Sequence, residues 1–172
     1  MAVLEIRKYP DPALRRKSRP VPEITPEIRE LIDDMIETMY AAPGVGLAAP
    51  QVGIPLRLAV IDVSTKDEKS PLLVLVNPEI ISTEGELNEE EGCLSVKDFQ
   101  SVVTRFARVR VRAIDRDGKP YEAEGEGLLA RAFQHEIDHL NGVLFIDRIS
   151  PLKRNLFKRR VRKNLKEDKA AI

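Results

Sequence analysis

His135 and His139 are the only histidines in the 172-residue chain, and they sit four positions apart. On an α-helix that spacing stacks both imidazoles on one face, with Cβ atoms about 5–6 Å apart, so that one divalent ion can take both. Glu136 lies between them. The stretch His135-Glu136-Ile137-Asp138-His139 therefore has the HExxH form, in which the histidines hold a metal and the glutamate is a general base. The plainer alternative is a surface helix that happens to carry two histidines.

A catalytic metal takes three protein ligands as a rule and keeps a position for water. In the protease pattern HExxHxxGxxH, Gly142 fits but Phe145 stands where the third histidine belongs. Another protease pattern places a glutamate on a later helix, yet the only downstream acids are Asp147, Glu167 and Asp168, the last two in a basic tail. Upstream, the one soft donor is Cys93, beside Gly92. Two histidines and a cysteine form an accepted catalytic set. A lone cysteine is otherwise a buried inert thiol, and the missing downstream ligand weighs toward Cys93 as the third donor.

These residues need elements to position them. Leu128, Leu129, Ala132, Phe133, Ile137 and Leu140 cover so much of a helix over 128–140 that the helix must be largely buried, and Asn141-Gly142 closes it. A buried helix has to satisfy its polar groups, which argues against a decorative histidine pair. Thr25-Pro26-Glu27 starts a second amphipathic helix over 26–41, carrying Ile28, Leu31, Ile32, Met35, Ile36 and Met39. Asp11-Pro12 starts a short one. The segment from Pro43 to Gly53, rich in glycine, proline and small residues, lacks the phosphate-loop pattern and holds one large polar side chain, Gln51.

Strands are expected over 56–63 and 72–76, with Pro78 ending the second and a short third over 79–84. The acidic run Glu84, Glu86, Glu89, Glu90 and Glu91 reads mostly as a solvated face. Residues 102–114 alternate as one half-exposed strand, Asp115-Arg116-Asp117-Gly118 is a hairpin turn, and 121–126 returns antiparallel. The row Arg108, Arg110, Arg112 is read as the wet side of that pair, opposite Glu122, Glu124 and Glu126, with no DNA partner. Residues 143–146 suggest a short apolar strand. Strands and helices do not alternate as βαβ units. The expected class is α+β, with antiparallel sheets packed around a central buried helix carrying HExxH, plus a C-terminal helix.

Length and composition fit one domain over 1–172, with hydrophobic residues at 42% and charged residues at 33%. No apolar run is long enough to span a membrane and no secretory signal is visible. With a single cysteine excluding internal disulfides, a cytoplasmic setting is expected, an organelle being the alternative. Formal net charge is zero, but residues 151–172 hold nine basic side chains against two acidic ones. They read as a basic amphipathic helix at about 151–168.

Three blocks, in order, carry a family resemblance: Gly44-Val45-Gly46-Leu47-Ala48-Ala49-Pro50-Gln51, then Glu91-Gly92-Cys93-Leu94-Ser95, then Gln134-His135-Glu136-Ile137-Asp138-His139. The chain resembles bacterial-type peptide deformylases from near its N-terminus to about Lys153. One departure is visible: Lys97-Asp98-Phe99 occupies a loop where many members have Pro-Gly.

The resemblance implies removal of the formyl group from N-formylmethionine at the start of new polypeptides, releasing formate. It implies a metal on Cys93, His135 and His139, commonly Fe²⁺, with Zn²⁺, Ni²⁺ or Co²⁺ as substitutes. Glu136 would take a proton from the attacking water and deliver it to the leaving nitrogen. The Gln51 side-chain amide and the Leu94 backbone N–H would steady the developing oxyanion. Val45, Leu128, Ala132 and the stem of Arg131 would line the methionine pocket, and the nascent peptide would add as a strand near Gly46 and Gly92.

The basic tail is then either a solvated helix or a ribosomal-RNA contact. Two rival readings remain. A zinc endopeptidase lacks its downstream ligand, and a non-enzymatic ribosome- or RNA-binding protein leaves Cys93, Gln51 and the histidine pair unexplained.

Overall fold

The computed structural model describes residues 2–170. Its elements are α1 (Pro26–Ala41), β1 (Gly46–Ala48), β2 (Leu58–Ile61), β3 (Leu73–Glu84), β4 (Leu87–Cys93), β5 (Val96–Arg105), β6 (Arg108–Ile114), β7 (Pro120–Glu126), α2 (Leu128–Leu140) and α3 (Pro151–Ala170). Short 3₁₀ turns occupy Pro12–Arg15, Ala49–Val52 and Phe145–Arg148. All strand pairs are antiparallel, in a five-stranded sheet ordered β1-β2-β3-β6-β7 and a separate β4-β5 hairpin.

The five-stranded sheet lies between two helices. Leu58 and Val60 of β2 pack with Ile32, Met35 and Met39 of α1, while Ala59 and Ile61 point the other way, toward Ala130, Phe133 and Ile137 of α2. Alternation across the pleat explains why β2 is apolar at every position: both faces are covered. α1 starts as its sequence dictates, the Thr25 hydroxyl accepting the Ile28 N–H with proline in the first turn. α2 is the buried helix expected, with nine of its residues buried. A third core, formed by Leu14, Val96, Val103, Phe145, Ile146 and Phe157, joins the β4-β5 hairpin to the first turns of α3.

Several expectations need correction. β3 runs as one strand through Pro78, because Asn77 adopts a positive φ of 52° at a register shift and its side chain bonds both backbone groups of Val21. A bulge absorbs the proline that would otherwise end the strand. The expected strand over 102–114 is two strands, β5 and β6, in different sheets. The chain crosses at Phe106-Ala107, where the buried Gln134 amide of α2 binds both the N–H and the C=O of Phe106. The acidic run is mostly solvated, as expected, but Glu89, Glu90 and Glu91 lie in β4 and Glu91 is buried. Residues 143–146 enter a 3₁₀ turn, with Phe145 buried. The Arg108, Arg110 and Arg112 row does pair with Glu126, Glu124 and Glu122 across β6-β7. Among the described residues, no helix is long and apolar enough to cross a membrane.

Candidate metal centre

α2 presents His135 and His139 on one face, and the hairpin brings Cys93 to them. The Cys93 Sγ lies 3.3 Å from His139 Nε2, which lies 3.2 Å from His135 Nε2. All three donor atoms fall within 4.8 Å of one another. His135 Nδ1 contacts a Glu91 carboxylate oxygen at 2.9 Å, which fixes the ring and leaves Nε2 as the free lone pair. The donor set of one sulfur and two imidazoles suits a borderline-soft divalent ion.

Electrostatics point the same way. Burial lowers the His135 imidazole, but the Cys93 sulfur and the neighbouring carboxylates outweigh it and raise the group well above its ordinary value. This spot therefore favours positive charge, and a proton and a divalent ion compete for His135 Nε2. Burial, aided by the nearby positive groups, holds His139 well below its ordinary value, in the neutral form a metal ligand requires.

Glu136 points into the same space. It is buried, and its Oε1 has no hydrogen-bond partner among the described residues. Burial pushes its carboxyl up to about 7, against the opposing pull of His135. A carboxyl near neutrality can both take and return a proton at working pH. Its Oε2 leaves no room for a side chain at Gly46, where an added Cβ would sit 2.5 Å away.

Gln51 is buried in the 3₁₀ turn after β1. Its Oε1 accepts the Ala48 N–H at 2.9 Å, which aims Nε2 at Ser95 Oγ, 3.1 Å away, and at Cys93 Sγ, 3.7 Å away. The Ser95 N–H also donates to Cys93 Sγ. A cavity of about 310 Å³ opens over these groups, lined by Val45, Gly46, Gln51, Gly92, Cys93, Leu94, Leu128, Arg131, Ala132, His135 and Glu136. Of the residues singled out from the sequence only His139 is not on its wall; it lies behind, 1% exposed. Val45 and Leu128 form half-exposed apolar edges of the mouth. Arg131 is tied by Nη2 to the Glu90 carbonyl.

Sequence reasoning missed four participants, Glu91, Arg105, Asp138 and Arg148. Glu91, taken with the solvated acids, is buried and bonds His135 and, through two oxygens, Arg105. Burial works to raise it, but the His135 and Arg105 hydrogen bonds prevail and hold it down at about 2. Arg105 also reaches Asp138 at 2.7 Å, and Asp138 accepts two bonds from Arg148. A continuous charged chain thus runs beneath α2 from His135 to Arg148. Position gave one clue: Glu91 is two residues from Cys93, the same-face spacing of a strand.

The places a protease would use are otherwise engaged. Phe145 is buried with its ring 6.4 Å from that of His135, and Asp147 pairs with Arg15. The Lys97-Asp98-Phe99 departure turns its aromatic ring inward, Phe99 lying 4.7 Å from Phe157 of α3.

Comparison with known proteins agrees with this geometry. The polypeptide deformylase family matches residues 3–155. A peptide deformylase from Thermodesulfovibrio yellowstonii is 56% identical over 160 residues, covering 93% of this chain and 97% of the relative. The crystal structure of a peptide deformylase from Legionella pneumophila superposes with a TM-score of 0.89 at 50% identity, covering 97% of this chain and 98% of that one. One from Ehrlichia chaffeensis in complex with actinonin gives 0.90 at 38% identity, over 95% and 98%. The chain thus belongs to the polypeptide deformylase family, metal-dependent hydrolases that take the formyl group from N-terminal formylmethionine.

Proposed function

We propose that Cys93, His135 and His139 hold one divalent ion, Fe²⁺ in the cell with Zn²⁺, Ni²⁺ or Co²⁺ as substitutes, and that Glu136 is the proton carrier of formyl hydrolysis. The observation that carries this reading is the convergence of three donor atoms within 4.8 Å beside a buried carboxyl. When bound, such an ion supplies Lewis acidity that makes water nucleophilic near neutral pH.

The chain's own residues supply the rest. Glu136 removes the proton from the attacking water and returns it to the nitrogen of the new amino terminus. Gln51 Nε2, fixed by the Ala48 bond through its other end, and the Leu94 N–H donate to the oxygen on which charge develops. One such donor fixed in advance is worth about 3–4 kcal/mol. Val45, Leu128, Ala132 and the Arg131 stem receive the methionine side chain. β1 and β4 each end a sheet, and Gly46 and Gly92 on them both face the cavity. An extended peptide lying between these edges would be read through its backbone, which suits substrates of varied sequence.

The whole of residues 1–172 serves as one such unit, working in the cytoplasm, with the basic surface of α3 directed at the ribosome. The actinonin complex of the Ehrlichia chaffeensis relative suggests that the cavity here takes the same compound.

One experiment separates this reading from its rivals. The protein, loaded in turn with Fe²⁺, Ni²⁺ or Zn²⁺, is offered formyl-Met-Ala, acetyl-Met-Ala and a longer blocked peptide. Formate from the first alone, lost on chelation, is expected. Internal cleavage of the longer peptide would make it an endopeptidase, and no turnover with any metal would leave a binding protein. Glu136→Ala is expected to keep its metal and lose roughly 10²–10⁴ in turnover; near-normal activity would overturn the assignment.

A further inference from the structure

The outer face of the β4-β5 hairpin carries a feature the chemistry above does not use. Glu91 pairs with Ser101 and Glu90 with Val102, so Glu90, Gln100 and Val102 share the face directed away from the core. That face is polar except at Val102, which is 50% exposed. Opposite it, Lys153, Leu156, Phe157 and Arg160 recur at the spacing of one helical face along α3. Phe157 is buried as a floor, locked against Tyr9 and Phe99, while Leu156 is 53% exposed. Between them lies a groove of about 430 Å³, apolar at Val102, Leu156 and Phe157, with Lys153 and Arg160 on its rim. Arg160 is braced by a bond to the Asp98 carbonyl.

This groove adjoins the metal-site cavity: Gln100 stands in the wall of both. Val102 lies across from Glu90, three residues along β4 from Cys93, or ~10 Å at about 3.3 Å per residue. An extended peptide covers that distance in about three residues. The substrate is a polypeptide, so its continuation has to leave the cavity, and this is a walled path with apolar seats.

We propose that the groove between β5 and α3 is a distal subsite for the substrate polypeptide itself, taking residues beyond about the third. It selects an apolar side chain over Val102 and Leu156 with an acidic neighbour toward Lys153 or Arg160. The proposal rests on the deformylase reading. Two cations against the single carboxylate of Glu90 set the charge preference, and two half-exposed aliphatic side chains on the wall of one groove are what a short apolar contact needs.

The test is the ratio of kcat/KM for a long peptide to that for a short one, measured on the same metal-loaded protein. The pair is formyl-Met-Ala-Ser-Leu-Glu-Leu-Glu and formyl-Met-Ala-Ser, with a Gly-Ser extension of equal length as control. Seating one aliphatic side chain corresponds to about tenfold, so the acidic, apolar extension is expected to raise the ratio about tenfold above the control. Val102→Asp and Leu156→Asp are each expected to bring it back to the control value. Lys153→Glu, which leaves the apolar seats intact, is expected to shift the preference from Glu to Lys in the extension.

A ratio equal to the control in the unmodified protein, or one that survives both aspartate variants, overturns the subsite. So does a concentration-dependent dimer that Val102→Asp abolishes without changing the ratio, since the groove would then belong to a second copy. Failure to turn over formyl-Met-Ala-Ser at all would instead strike the deformylase reading.

Discussion

Position 46 has no side chain because the Glu136 carboxylate fills the space one would need: an added Cβ would lie 2.5 Å from Oε2 and 2.9 Å from Cδ. Neither Glu136, on the buried face of α2, nor β1, paired to β2, is free to retreat far. Gly46→Ala is therefore expected to displace the carboxylate and to lower kcat about 10²-fold, the scale of general acid–base assistance, while metal content, measured by elemental analysis, stays at one per chain. Unchanged kcat would mean that Glu136 tolerates the shift and is not the proton carrier. At this scale much of the site was legible, because ligation restricts residue type: few side chains bind a metal, and the chain has one cysteine and two histidines to offer. Glu91 was not legible as a single residue. Five acids crowd positions 84–91, and only the fold says which of them turns inward to meet His135 and Arg105.

Elements bring their own constraints. Arg105 ends β5 with its side chain buried, and it is shared between Glu91 of the hairpin and Asp138 of α2. Removing it leaves Glu91 only His135, and Asp138 only Arg148, to offset a buried charge. Arg105→Met fills similar volume without the charge and is expected to cost about 3–5 kcal/mol, read as a lower urea midpoint. Because Glu91 then loses the group that orients it toward His135, metal retention against a competing chelator is expected to weaken by about tenfold or more. A drop in stability with chelator competition unchanged would assign Arg105 to packing alone. The helices and the β6-β7 hairpin were readable because their signals are local: a threonine cap, a period of three to four, a turn of Asp and Gly. The crossing between sheets at Phe106-Ala107 was not, since what ends β5 and starts β6 is the Gln134 amide arriving from α2, 28 residues later in the chain. The passage of β3 through Pro78 depends in the same way on Asn77 finding the backbone of Val21, 56 residues earlier.

For the molecule as a whole, long-range ties decide how the ends are held. Arg15 pairs with Asp147 across 132 residues and joins the N-terminal turn to the turn after α2. Burial works to raise the Asp147 carboxyl, but the Arg15 hydrogen bond and the Leu144 N–H prevail and lower it. A carboxyl lowered by folding stabilises the protein fully above its unfolded value, about 3.9, and that contribution is lost as pH falls through the lower folded value. Asp147→Asn is accordingly expected to cost under about 1 kcal/mol at pH 7, since both partners are partly exposed, and progressively less below pH 4, in paired urea titrations. The basic helix raises a larger question. Removing α3 from the chain is a poor way to ask what its charge does, because Phe157 is buried against Tyr9 and Phe99, and losing an aromatic of that kind costs about 3–5 kcal/mol. The exposed cations Arg159, Arg162, Lys163 and Lys166 lie off that packed face and can be changed alone. If they contact ribosomal RNA, each neutralises a phosphate and releases counterions, so replacing all four with glutamine is expected to lower the slope of log K against log salt by about 0.7–0.9 per contact removed. Formyl-Met-Ala turnover, which depends on a cavity that none of these four residues lines, supplies the internal control. Equal co-sedimentation of both proteins with ribosomes across the salt series would leave the charge of α3 with solvation as its role.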